Sequence, residues 1–243
     1  MDFTYDGIAK MIDHSLLNPT LTWADLEKGC HIAREYQVAT VCIMPYALKH
    51  CAEILAGSGV KPSTTIGFPH GGHTTGIKLA EAMAAIDDGA EELDVVINIS
   101  KALSGDWAYV RHDIHHVLHA VHARGAKLKV IFENCYLKEH HKVALCVICG
   151  ELGVDWVKTS TGYGSDGATN ADLILMRQHS PARVQVKAAG GIRTLDRVLE
   201  VRELGVTRCG ATQTVAILED AKHRLGMAAS EGEHPKPSAP GHY

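Results

Sequence analysis

Lys158 closes the short apolar run "DWVK" and is followed at once by "TSTGYG", a patch of hydroxyls and glycines. Lys187 stands in a similar way inside "VQVKAAGGIRT", and Asp94 inside "ELDVVIN". Lysine within a buried run is rare unless it is paired or working. If Lys158 and Lys187 point into one cavity, each cation disfavours protonation of the other, and an amine left neutral attacks a carbonyl carbon. Asp94 would serve as their anionic partner and as a proton carrier. Each residue taken alone also has an ordinary reading, as strand-end lysines reaching to water and a structural hydrogen-bond acceptor.

Two glycine-rich stretches follow the lysines, "AGGIRT" (189–194) and "CGATQT" (209–214). Gly190, Gly191 and Gly210 would let the backbone approach an anion closely, and Arg193 could add a charge-assisted contact. Backbone N–H groups in such loops, together with a helix start, are suited to a phosphate. The small hydroxyls and backbone donors of "TSTGYG" would face a substrate lying above Lys158.

These groups need a frame that brings them together. Short apolar or β-branched runs alternate with amphipathic helical stretches along the chain, the pattern of βα units around a parallel sheet. Eight strands are predicted, beginning near Ile12, Val38, Ser63, Glu92, Leu128, Asp155, Val184 and Thr207. Helices are predicted between them, several ending in a glycine that would cap them in the left-handed conformation. Eight such pairs in 243 residues fit a single α/β domain, a TIM (β/α)8 barrel. Function is then expected at the C-terminal ends of the strands, with the phosphate loops after strands seven and eight. Lys158 and Lys187 fall on neighbouring strands six and seven, about 4.8 Å apart. The barrel is expected over 1–227, and the polar, proline-bearing "AASEGEHPKPSAPGHY" at 228–243 is expected to be a flexible C-terminal tail.

The composition is that of a soluble globular protein, 46% hydrophobic and 21% charged. A net charge of −4 leaves no basic excess for neutralising phosphates, so no nucleic-acid partner is expected. No apolar run approaches the roughly 20 residues that span a bilayer, and no membrane partner is expected. Seven cysteines without framework spacing, and no apolar signal segment, point to reduced thiols and a cytoplasmic location. Cys146 and Cys149 form a CxxC within a predicted buried helix, where cysteine is usually a small core residue. His112, His115, His116, His119 and His122 share one face of a predicted helix. No carboxylate or cysteine completes a metal site with them, so they read as a solvent stripe and no metal is expected.

The chain resembles the deoxyribose-phosphate aldolase family from about Ile12 to Leu218, through "IDHSLLNPTLT", "VCIMPYAL", "IGFPHGGHTTGIKLAEA", "GAEELDVVINI", "LKVIFENCYL", "GVDWVKTSTGYG" and "VKAAGGIRT". The resemblance implies a class I aldolase without metal or diffusible cofactor. Such an enzyme cleaves 2-deoxyribose 5-phosphate reversibly to glyceraldehyde 3-phosphate and acetaldehyde, in deoxyribonucleoside catabolism. By motif, Lys158 matches the Schiff-base lysine, Lys187 the lysine that perturbs it, and Asp94 the proton-shuttling aspartate. Asp13, Ser15, Leu17, Cys42, Thr161 and Gly162 fall at substrate-lining positions, and Gly190, Gly191, Ile192 and Arg193 on the phosphate loop. Gly210 and Thr212 fall in the stretch after strand eight, where Thr212 keeps a hydroxyl and Gln213 is bulkier than the usual serine. Asn134 departs from a common threonine, and His70 and His73 decorate a loop more often apolar. Some members end in a tyrosine that relays protons, which makes the terminal Tyr243 a candidate catalytic residue. A homodimer is expected from the resemblance and from the symmetry that assemblies favour. Two alternatives stay open at this level: a Schiff-base aldolase for another sugar phosphate, and a non-catalytic barrel that binds a sugar phosphate or a metal.

Overall fold

The structure, a computed structural model, describes residues 3–230. Most of the predicted tail, Tyr243 included, lies outside the described residues. Eight strands close into one parallel barrel in sequence order: β1 (Ile12–Leu16), β2 (Thr40–Ile43), β3 (Lys61–Ile66), β4 (Glu92–Val96), β5 (Lys127–Ile131), β6 (Trp156–Lys158), β7 (Gln185–Ala189) and β8 (Arg208–Ala211). The pairing of Asp13 with Gly210 joins β1 to β8 and completes the ring. All eight predicted strands are present. β2 begins two residues after Val38, and β3 two residues before Ser63.

The predicted helices are α2 (Trp23–Glu35), α3 (Leu48–Leu55), α4 (Thr75–Asp87), α6 (Trp107–Ala123), α7 (Glu139–Leu152), α8 (Asn170–His179), α9 (Leu195–Glu203) and α10 (Thr214–Arg224). Their starts are written in the sequence. Thr22 and Asp25 form a reciprocal capping box on α2, while Thr169 and Thr194 accept from backbone N–H groups opening α8 and α9. α7 ends at Gly153, whose φ of 79° is the left-handed cap. Two further helices, α1 (Tyr5–Ala9) and α5 (Ile99–Leu103), run five residues each, too short to show a hydrophobic period.

Alternation along each strand divides the core in two. Outward residues such as Val41, Leu93, Val95, Leu128, Val130, Val157, Val186 and Cys209 are buried under the helices. A buried ion pair lies in that outer layer, where Lys78 of α4 bonds Asp113 of α6 and donates to the Val96 carbonyl at the end of β4. The inward residues are different in kind. Branched aliphatic side chains usually fill such a barrel, but here Asp13, Glu92, Asp94, Lys129, Lys158, Lys187 and Arg208 meet in its interior around Trp156.

Candidate active site

Successive strands deliver these charges in register. Lys158 of β6 stands beside Lys187 of β7, and Lys187 beside Arg208 of β8. The Nζ of Lys158 donates to Asp94 Oδ2 at 2.7 Å, and the Nζ of Lys187 donates to the same oxygen at 2.8 Å. The other Asp94 oxygen, Oδ1, accepts from Lys129 at 2.9 Å. Lys187 also donates to Asp13, which accepts from Arg208 at 2.6 Å on its second oxygen. Glu92 lies deeper, 2.6 Å from Lys129 and 3.0 Å from Arg208. Arg208 and Lys129 rest on the Trp156 ring, 4.9 and 5.6 Å from its centroid.

Burial and pairing drive the two amines apart. Burial holds Lys158 below the ordinary lysine range; Asp94 opposes this and Lys187 adds to it. The leading cause is therefore loss of water, with the neighbouring cation second, the reverse of the emphasis drawn from the sequence. Burial would also depress Lys187, but Asp13 and Asp94 outweigh it and raise its affinity for a proton. Burial disfavours an ionised Asp94, yet Lys129, Lys158 and Lys187 together hold it well below the carboxylate range. Asp94 is therefore anionic at rest and suited to relay a proton rather than to store one. One neutral amine beside one ammonium, bridged by a carboxylate, can attack a carbonyl and move protons at the attacked carbon.

Above the amines lies an open cleft. Asp13, Ser15, Leu17, Cys42, Thr161, Gly162, Gly190, Gly191, Ile192, Arg193, Gly210 and Thr212 all line it, with Lys158 and Lys187 at its floor and Asp94 wholly buried beneath. Ala189 and Ala211 complete the lining. Gly190 and Gly191 both have φ of 81°, so two consecutive residues turn through the left-handed region that glycine tolerates. A side chain at Gly190 would also strike the Gly167 Cα at 2.7 Å. α10 begins at Thr214, directly after the loop that follows β8, and no side chain caps its first turn. Gln213 precedes that helix and is absent from the cleft lining.

The sequence reading did not single out several residues that build the site. Lys129, Glu92 and Arg208 are buried in the charge set. Their signal was spacing, since Glu92 lies two residues before Asp94, and Arg208 two before Gly210, on the same inward face. Glu133, at φ 57°, turns its carboxylate to the backbone N–H of Thr161, 3.2 Å away, and to its hydroxyl, fixing the loop after β6. Burial pushes Glu133 upward, toward its protonated form, partly offset by the Thr161 bonds. Tyr163 crosses the mouth: its hydroxyl donates to the Leu17 carbonyl at 2.7 Å and its ring meets Phe68 edge-on at 5.4 Å.

Residues read as incidental lie elsewhere. Asn134 is buried and turned toward Met176, and His70 and His73 are exposed. The five histidines of α6 are all exposed, with His122 bonded to Asp155 at 2.8 Å. Among the described residues, no group of three or more His, Cys, Asp or Glu side chains is arranged to hold a metal ion. Cys146 and Cys149 are buried in α7, and burial pushes both thiols upward, Cys146 to about 11. Such thiols are poor nucleophiles and poor metal ligands. Among the described residues, no helix is long and apolar enough to cross a membrane.

Residues 8–213 match the model of the DeoC/LacD family aldolases. A deoxyribose-phosphate aldolase from Rhodopirellula baltica is 64% identical over 230 residues, 95% of each chain. One from Thermococcus gammatolerans is 45% identical over 218 residues, 89% of this chain and 97% of its own. A tetrameric deoxyribose phosphate aldolase from Aeropyrum pernix superposes with a TM-score of 0.84 at 28% identity, covering 90% of this chain and 92% of that one.

Proposed function

Because the chain belongs to the DeoC/LacD family of aldolases, we propose that it is a class I aldolase cleaving 2-deoxyribose 5-phosphate reversibly to glyceraldehyde 3-phosphate and acetaldehyde. The observation that carries the reading is the meeting of Lys158 and Lys187 on one Asp94 oxygen beneath a cleft walled by paired glycines. Lys158, the amine held toward its neutral form, attacks the aldehyde carbon of the open-chain sugar and loses water to give an iminium ion. The C3 hydroxyl gives up its proton, the C2–C3 bond breaks, and its electron pair passes into the iminium to leave an enamine. The phosphorylated aldehyde departs, the enamine carbon takes a proton, and water releases acetaldehyde and the free amine.

Lys187, kept an ammonium by Asp13 and Asp94, is the proton donor, and Asp94 the bridge through which the proton returns. The loops holding Gly190, Gly191 and Gly210, with Arg193, receive the phosphate. Ser15, Leu17, Cys42, Thr161, Gly162, Ile192 and Thr212 shape the space between phosphate and amine. We further infer a cytoplasmic homo-oligomer, with a dimer as the state to test by sedimentation against the tetramer of the Aeropyrum relative. The activity is tested by incubating the chain with 2-deoxyribose 5-phosphate and coupling acetaldehyde release to a reductase. Release of both aldehydes, faster than from ribose 5-phosphate or longer sugar phosphates, supports the reading. Faster cleavage of another sugar phosphate would move the assignment to that substrate, and no cleavage of any would leave a binding barrel.

A further inference from the structure

The charged interior of the barrel does more than line its floor. Three carboxylates, Asp13, Glu92 and Asp94, share it with four basic side chains, Lys129, Lys158, Lys187 and Arg208, all buried. A closed, low-dielectric interior strongly disfavours a surplus charge. The set is therefore neutral when one basic group gives up its proton. The contacts decide which one. Arg208 bonds Asp13 and Glu92, and a guanidinium does not deprotonate. Lys187 bonds Asp13 and Asp94, and Lys129 bonds Glu92 and Asp94 with Asp13 at 3.8 Å. Lys158 has a single carboxylate contact, at the rim of the cluster.

We propose that Lys129, Glu92 and Arg208 are positioning residues that set the charge state of Lys158 from beneath, through Asp94 and Asp13. This inference rests on the Schiff-base reading above. Lys129 and Arg208 occupy the carboxylates from the floor of the barrel. Asp94 is thereby left with too little free charge to hold a proton on both Lys187 and Lys158. The groups that act on the Lys158 amine are Asp94 from β4, Lys187 from β7, Cys42 from β2 and Glu133 from the loop after β5, while Lys129 from β5 bonds the other oxygen of Asp94. Glu133 is engaged by Thr161, and burial keeps Cys42 a thiol. The adjustable charges are thus the ones below Asp94.

The test reads the free amine directly, as the pH dependence of the rate at which acetaldehyde and cyanoborohydride alkylate Lys158, followed by peptide mass spectrometry. Lys129→Met removes a cation that shares the Asp94 carboxylate with Lys158 and moves the acidic limb of that profile upward by about one pH unit or more. Glu92→Gln removes an anion and moves the limb downward. The double variant restores the count and falls between the two. Opposite shifts from neighbouring residues do not come from general damage to the fold. Circular dichroism identifies the folded variants, and Arg208→Met, expected to shift the limb upward, replaces Lys129→Met if that variant does not fold. Folded single variants whose limbs coincide with the unaltered chain, or move in the same direction, overturn the proposal. An unaltered chain that is not alkylated at Lys158 at any pH overturns the Schiff-base reading itself, which separates the two failures.

Discussion

Lys158 and Lys187 donate to one and the same oxygen, Oδ2 of Asp94, at 2.7 and 2.8 Å. Two ammonium groups so placed would repel strongly in a water-poor interior. The arrangement therefore favours one charged and one neutral amine. Replacing Lys187 with Met removes the charged one. Loss of a buried partner costs about 3 to 5 kcal/mol of stability, and loss of the proton donor lowers kcat by about 10²- to 10⁴-fold. Steady-state kinetics and a thermal melt check both; a variant retaining full kcat would remove Lys187 from the proton path.

The sequence disclosed this pair because lysine is conspicuous inside "DWVK" and "VQVK", runs that otherwise read as buried strand. The strands were legible for the same reason, as β-branched runs set between glycine-ended helices. Lys129 and Glu92 were harder to see. "LKVIF" and "ELDVV" each carry a charge near a strand start, where solvent exposure is the ordinary expectation, and only barrel closure buries both. Asp13 was read as lining the substrate site, whereas the structure also makes it a partner of Lys187 and Arg208. The bond from Tyr163 to Leu17 joins residues 146 positions apart, and no local pattern encodes that.

The paired glycines make a prediction about the phosphate. At Gly190, φ is 81° and a Cβ would meet Gly167 Cα at 2.7 Å, so Gly190→Ala must shift the loop. KM for 2-deoxyribose 5-phosphate is expected to rise about tenfold or more, the value of about one lost charge-assisted bond. Turnover of unphosphorylated 2-deoxyribose is expected to change far less. Equal losses on both substrates would place the phosphate elsewhere.

The Tyr163 hydroxyl ties the loop after β6 to the Leu17 carbonyl across the mouth. Tyr163→Phe keeps the ring against Phe68 and deletes one hydrogen bond, worth about 1 kcal/mol. The expected result is a rise of about fivefold in KM with kcat nearly unchanged. A fall confined to kcat would instead mark the hydroxyl as part of the chemistry.

Stability should fall with acid through His14. Burial lowers its folded pKa to about 4, while Nδ1 lies 2.7 Å from the Thr214 hydroxyl at the start of α10. The unfolded chain takes up this proton near pH 6.5, and the folded chain does so only near 4. The contribution is therefore fully present above the unfolded value and is lost as pH falls through the folded one, about 3 kcal/mol in all. Denaturant titrations between those values should show a slope that His14→Gln reduces. Asp13 and Asp94, both depressed in the folded chain, extend the loss to lower pH.

The most direct measurement is the site of covalent capture. Acetaldehyde with borohydride should leave one ethyl group on the protein, mapped by peptide mass spectrometry to Lys158 and absent from Lys158→Leu. An adduct on Lys187 or Lys129, or none on any buried lysine, would contradict a neutral nucleophile at the rim of this charged barrel.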